Sequence, residues 1–299
     1  MLQKFDERNR NLIINLNGQL LHRDKAGISP FDSAVQGGDA VWEGLRLYNG
    51  RIFKLHEHLD RLERSARALS FAEIPPREKI VEEIKRTLAA NEMSDGVHIR
   101  LTLTRGLKIT SGMDPRLNQN GPTLIVLAEH KTPVYAKTGL TLSTSKVRRP
   151  PRDVLDARIH HANLLNSILA KIEANNAGAA DALMLDTRGF VAETNATHVF
   201  IVRNGDLATS RVVACPEGIT RATVIEICAA EKIRCVETDL SVVDVYGANE
   251  MFCTGTMGEL AAVTKLDNRQ IGDGKVGAMT KRLSDLYAKR TATEGVQIV

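Results

Sequence analysis

Residues 158–200 constrain the fold of this 299-residue chain more tightly than any other stretch. They open with an amphipathic helix whose Leu164, Leu165, Ile168, Leu169 and Ile172 recur at the i, i+4, i+8 spacing of a buried stripe. A hydrophobic strand, Ala182–Leu185, follows and ends in a turn at Thr187-Arg188-Gly189. A second apolar run, Phe190–Ala192, leads to Glu193 and then, past an asparagine and two threonines, to a strand at His198–Val202. Glu193 stands where the chain leaves one apolar run for the next, which makes it a site candidate. The alternative is a solvated turn acid.

The residues before this stretch read as β-rich and then mixed. Leu12–Leu16 is a strand, Asn17-Gly18 a hairpin turn, and Gln19–His22 its return. Val41–Tyr48 and Arg51–Leu55 flank a second Asn-Gly turn at Asn49-Gly50. Helical spacing covers His56–Leu69, and a second helix runs from about Pro76 to Asn91 with proline in its first turn. Strands follow at Val97–Thr104 and Thr123–Ala128. After Leu140–Ser143 and the central stretch, a third hairpin turn at Asn204-Gly205 returns the chain through Asp206–Thr209. A helix starts near Thr220 with Val224, Ile225, Ile227 and Cys228 inward. Strands at Glu250–Cys253 and Ala261–Leu266 precede a last helix over Val276–Lys289. The expected organisation is a smaller α+β domain at 1–130, a linker at 131–136 around Pro133, and a larger domain at 137–299.

Composition narrows the function classes. Hydrophobic residues make up 43% and charged residues 25%, as in a soluble globular protein. The net charge of +4 is dispersed, which suits small anions and not a nucleic-acid footprint. The densest basic run, Lys146–Arg152, contains two prolines and reads as a solvated loop. Cys215, Cys228, Cys235 and Cys253 fit neither a zinc pattern nor a disulfide framework, so no metal and a reducing compartment are expected. The charged N-terminus has no signal-peptide core and no run reaches membrane-spanning length, so the expected location is cytoplasmic, with no membrane partner.

Several segments together resemble one family. Asn163-Leu164-Leu165, Gly178-Ala179-Ala180-Asp181, Gly189-Phe190-Val191-Ala192-Glu193 and Val199-Phe200 match the centre of the class IV aminotransferases, pyridoxal-phosphate enzymes of fold type IV. The resemblance spans nearly the whole chain and implies a two-domain α+β fold, a cofactor that is pyridoxal 5'-phosphate or pyridoxamine 5'-phosphate, and a homodimer. It also implies site residues. Gly218-Ile219-Thr220-Arg221 precedes an apolar helical stripe, where helix amides point at an anion, and Ile219 and Thr220 take the phosphate positions. Thr256 in Thr254-Gly255-Thr256 matches a second phosphate contact, and Arg61 matches the phosphate arginine. Read without the resemblance, Arg61 is a helix-surface residue paired with Glu57. Glu193 matches the acid that faces the pyridine nitrogen. On the substrate side, Trp42 falls at a pocket wall and Arg100 at the arginine of the branched-chain enzymes. His98 stands where those enzymes carry tyrosine. Thr110 and Gly112 replace the Arg-x-His of the D-amino-acid enzymes, which disfavours D-specificity.

One position departs from the pattern. The family lysine lies three or four residues before the asparagine, which is His160 in one alignment and Ile159 in the other. The lysine bonds covalently to the cofactor and its amine moves the substrate proton. Histidine titrates near neutrality and can move a proton, but it cannot make that bond. Three readings follow: an aminotransferase moving an amino group from an L-amino acid, branched-chain by resemblance, to 2-oxoglutarate; a pyridoxamine-phosphate enzyme that holds its cofactor noncovalently and uses His160 as base; and a noncatalytic cofactor-binding or regulatory protein. A lyase of the aminodeoxychorismate type would also want the lysine.

Overall fold

The structure is a computed structural model that describes residues 3–135 and 138–299. The expected linker at 131–136 ends on Ala136, which with Lys137 lies outside the described residues.

In chain order the elements are β1 (Ile13–Leu16), β2 (Gln19–His22), α1 (Ser33–Gly37), β3 (Ala40–Tyr48), β4 (Arg51–Ile52), α2 (Leu55–Ala68), α3 (Arg77–Ala90), β5 (Val97–Thr104) and β6 (Thr123–His130). Then come β7 (Leu140–Thr144), α4 (Arg152–Leu155), α5 (Leu165–Asn176), β8 (Asp181–Leu185), β9 (Val191–Thr194), β10 (His198–Arg203), β11 (Asp206–Ser210) and α6 (Ile219–Ala230). The chain closes with β12 (Cys235–Thr238), α7 (Val242–Tyr246), β13 (Glu250–Gly255), β14 (Glu259–Leu266), β15 (Arg269–Gln270), α8 (Ala278–Thr293) and β16 (Val296–Gln297).

Two compact units result, and neither is continuous in sequence. The N-terminal unit gathers 3–132, 159–163 and 291–299; the C-terminal unit gathers the described residues of 133–158 together with 164–290.

The N-terminal unit is built on a seven-stranded antiparallel sheet, ordered β16-β4-β3-β5-β6-β1-β2. The three expected Asn-Gly hairpin turns, at 17–18, 49–50 and 204–205, are present with both residues of each at positive φ. Strand alternation sends Val41, Leu45 and Leu47 of β3, Ile99 and Leu101 of β5, and Val126 of β6 to one face. There they join Leu55, Leu59 and Leu62 of α2 and Ile80, Ile84 and Leu88 of α3 in one core. Each such side chain, fully buried, contributes about 1.5–3 kcal/mol. The opposite face carries Trp42, Gly44, Arg46 and Tyr48 of β3 beside His98, Arg100 and Thr102 of β5.

The C-terminal unit holds a nine-stranded mixed sheet, with the path β12-β11-β10-β13-β14-β7-β8-β9 and β15 paired to β14. From β9 a tight turn, closed by Thr194 N donating to Thr197 O (2.7 Å), returns the chain to β10. Helix α5 corrects the expected buried stripe. Leu165, Ile168, Leu169 and Ile172 are exposed, whereas Ala170 and Ala174 are buried against Ala182 and Met184. The alanines let the helix approach β8 closely, and the longer side chains are left on the outside. No described helix is long and apolar enough to cross a membrane.

Candidate active site

Two clusters of chemistry-bearing residues stand out, one in each unit.

In the C-terminal unit the centre is Glu193. It lies within β9, opposite Met184 of β8, and is buried, so it is not a solvated turn acid. Arg149 reaches its carboxylate at 2.9 Å. Arg149 belongs to the basic loop read as solvated, yet its side chain points inward and also donates to the carbonyl of Ala214. Beside them, burial and the negative Glu193 push the Cys215 thiol up to about 12, so it is an uncharged neighbour.

A second feature of that unit is the start of α6. Gly218 is its N-cap, and Ile219 and Thr220 open the first turn, where amides lack helical partners. His198 ties this turn to the sheet. It pairs in register with Thr254 of β13, and its Nε2 donates to the carbonyl of Pro216 at 2.7 Å. A side chain at position 218 would put Cβ 2.5 Å from the His198 ring, so only glycine fits. The buried hydroxyl of Thr254 has no hydrogen-bond partner among the described residues. Thr256 follows just after β13. His198 therefore links the turn that leads into α6 to the end of β13.

In the N-terminal unit the centre is Glu43, which the sequence reading overlooked. It sits on the core side of β3 with no exposure to solvent. Arg61 donates from Nε and Nη2 to its two oxygens, at 2.8 and 2.7 Å. His58 Nδ1 lies 2.6 Å from one of them. Arg61 is thus buried and paired with Glu43, not a surface partner of Glu57, which instead binds Lys54. Burial alone would raise the Glu43 pKa, but Arg61 and His160 hold the carboxyl well below its usual range.

His160 comes to this cluster from the short segment 159–163. Its Nδ1 is 2.5 Å from the Trp42 carbonyl and 3.3 Å from Glu43. Backbone bonds hold the segment along β3: Trp42 N donates to His160 O (3.0 Å) and Ala162 N to Ala40 O (2.8 Å). The Trp42 indole donates to His161 O, and Ser65 Oγ accepts from His160 N. Burial and Arg61 lower the His160 pKa below its ordinary value. It stacks on Trp42 with centroids 4.4 Å apart, and the Arg100 guanidinium lies 3.7 Å from the Trp42 ring.

Next along the same sheet face are two buried side chains with polar atoms that lack hydrogen-bond partners among the described residues, although the Arg46 guanidinium lies 5.3 Å from the Tyr48 ring centre. Neither ring nitrogen of His98 is hydrogen-bonded, and Arg46 Nε and Nη1 are likewise unpaired. Burial, with Lys131, Arg46 and Arg100 nearby, lowers the His98 pKa to about 3. Glu43 and Arg46 had a sequence signal, two charges inside the otherwise apolar strand Val41–Tyr48. Arg149 had none beyond its neighbours' prolines.

The family model for amino-transferase class IV matches residues 40–266. The chain belongs to the class IV aminotransferases. Among relatives of this family, branched-chain-amino-acid aminotransferase-like protein 1 of Arabidopsis thaliana is 54% identical over 97% of this chain. The chain spans about half, 52%, of that relative's length. A putative branched-chain-amino-acid aminotransferase of Methanocaldococcus jannaschii is 39% identical over 95% of this chain and 98% of its own length. A T.th. branched-chain amino acid aminotransferase, solved with N-(5'-phosphopyridoxyl)-L-glutamate, superposes with a TM-score of 0.88 at 33% identity, covering 94% of each chain. Its fold is the two-domain α+β fold expected from the resemblance. The same enzyme is also known with pyridoxamine 5'-phosphate.

The class IV residues here fit such a cofactor in part. The helix start after the Gly218 N-cap, the unpartnered Thr254 hydroxyl and the buried acid Glu193 suit a phosphorylated pyridine. The imidazole of His160 offers no amine for a covalent bond.

Proposed function

We propose that this chain is a class IV aminotransferase that holds pyridoxal or pyridoxamine 5'-phosphate without a covalent link and moves an amino group between an L-amino acid and a 2-oxo acid. The observation that carries the reading is His160. By the resemblance its imidazole falls at the family's lysine position, and in the structure the ring is fixed through Nδ1 and stacked on Trp42, beside Arg100. When bound, the cofactor supplies an electron sink and an amino-group carrier. The chain's residues do the rest. Ile219, Thr220 and Thr256 bind the phosphate, with the N-terminus of α6 favouring its charge. Arg61 adds positive charge, although two of its nitrogens are committed to Glu43. Glu193 keeps the pyridine nitrogen protonated, its own charge secured by Arg149. His160 takes the proton from the substrate Cα and returns it. Arg100, with His98 and with Arg46, whose Nε and Nη1 have no hydrogen-bond partner among the described residues, binds substrate carboxylate. The names of the relatives support glutamate and a branched-chain amino acid as the pair. We further propose a homodimer, which the exposed apolar face of α5 supports.

A second reading, a noncatalytic cofactor binder, is favoured by one observation. The two charged groups expected to meet the cofactor, Glu193 and Arg61, already have internal partners, Arg149 and Glu43.

Titration with each cofactor form, followed by gel filtration, borohydride treatment and mass spectrometry, tests both. The first reading expects pyridoxamine phosphate to bind at least as well as pyridoxal phosphate, both to wash away, and a donor such as L-leucine to give its oxo acid. An adduct fixed to the chain by borohydride would show that another lysine has taken over the covalent role. Reversible binding with no transfer from any donor would select the second reading, and absence of binding would sink both.

A further inference from the structure

The start of α6 gathers polar atoms that the fold leaves unsatisfied. Three buried side-chain atoms of the C-terminal unit have no hydrogen-bond partner among the described residues: Ser210 Oγ, Arg221 Nε and Thr254 Oγ1. Arg221 belongs to the first turn of α6, and the Ser210 carbonyl accepts from it. Thr254 pairs in register with His198, whose ring lies against Gly218. Buried polar atoms are nearly always paired, so such a gathering marks a place that a further polar group completes. Arg221 is unusual there on a second count. It is a cation at the positive end of a helix dipole, which disfavours it, and it is only 5% exposed. Its Nη2 donates to the Ser210 carbonyl on β11 at 2.8 Å and to Glu237 on β12 at 2.6 Å. With the His198 bond to Pro216, three adjacent strands, β10, β11 and β12, hold this turn and the residues leading into it. Glu237 is half-exposed, so water screens its charge, whereas Arg221 is desolvated and leaves the turn positive.

We propose that Arg221 is a positioning residue that fixes the first turn of α6 for the cofactor phosphate. This rests on the reading of Ile219 and Thr220 as phosphate-binding residues. The N-cap, Gly218, has no side chain to cap the helix, so nothing on the turn itself sets where its free amides lie. Arg221 sets it from the sheet. Its Nη2 carries two N–H bonds and uses both, one on β11 and one on β12. A lysine ammonium on its flexible stem has no such planar fork. Placement and charge act together, because the helix dipole and the guanidinium both favour an anion at this turn.

The test is calorimetric binding of pyridoxamine 5'-phosphate and of pyridoxamine, which lacks only the phosphate, to the full chain. The unaltered protein should favour the phosphorylated form. In Arg221→Met that preference should fall about tenfold, the scale of one anion contact at a helix terminus, while pyridoxamine binding changes less than about threefold. A merely structural lesion would weaken both ligands alike. Glu237→Gln should keep the preference at or above its original value, because glutamine still accepts the bond and no longer offsets the Arg221 charge. Should Arg221→Met not fold, Arg221→Lys keeps the charge without the fork, and a several-fold loss of preference is expected. An unchanged preference in the folded arginine variant, or an equal loss in Glu237→Gln, would overturn the role of Arg221 and leave the phosphate reading standing. An unaltered protein that binds both forms alike would overturn the phosphate reading of α6 and the role of Arg221 with it.

Discussion

Arg149 and Glu193 meet at 2.9 Å with both side chains nearly excluded from water. Composition cannot reveal such a pair, because a basic loop with prolines reads the same whether one arginine turns inward or all face solvent. Removing one member of a buried pair strands the other charge and costs about 3–5 kcal/mol. Arg149→Met should therefore lower the denaturation midpoint markedly at pH 7; a loss below about 1 kcal/mol would mean that water already screens Glu193. His98 makes a second residue-level prediction. Its pKa is about 3 in the fold, against the ordinary 6.5. Below pH 6.5 the unfolded chain binds a proton that the folded chain refuses, so stability falls as pH drops from 6.5 toward 3. At about pH 5 the loss from this group is about 2 kcal/mol. His98→Phe should flatten that part of the stability profile measured by thermal melts; an unchanged slope would place the acid sensitivity elsewhere.

At the scale of elements, α6 is placed by what its N-cap lacks. The His198 ring is held by Pro216 and fills the space a Gly218 side chain would need. Gly218→Ala should cost about 1–3 kcal/mol of stability, the usual penalty for overpacking. It should also weaken inorganic phosphate binding followed by phosphorus NMR or calorimetry, and retention of full phosphate affinity would remove this helix terminus from the site. Helix α5 shows where periodicity misleads. Both of its faces are apolar, one with leucines and isoleucines and one with alanines, and spacing alone cannot say which meets the sheet. Close approach to β8 selected the small residues. The strands were more legible. The Val97–Thr104 strand stands as expected, and Thr123–Ala128 gained two residues at its end. Strands β12, β15 and β16 and helices α1, α4 and α7 were not expected. Most are short, and a few residues carry too little pattern to mark an element.

Across the whole molecule, the end of the chain completes the sheet near its beginning. β16 pairs with β4, Ile298 joins the N-terminal core, and Ile298 N and Val299 N both donate to Gly50 O. Deleting residues 294–299 should leave β4 as a bare edge and remove a core side chain that contributes about 1.5–3 kcal/mol. Hydrogen exchange should then quicken at β3 and β4 while β13 and β14 keep their protection; uniform protection would show that the terminal strand adds nothing.

What this sequence decided by itself is local or chemical. Positive φ at Asn-Gly pairs fixes three hairpins because glycine, and to a lesser degree asparagine, tolerates that backbone. Histidine at position 160 rules out a covalent cofactor bond there in any fold, because imidazole has no primary amine. The tertiary structure decided the rest. It carried residues 159–163 into the N-terminal unit, buried Glu43 among apolar strands and turned Arg61, His58 and His160 onto it. Those outcomes depend on desolvation and charge pairing between residues far apart in the chain, energies that exist only once the sheet and its helices have closed around them.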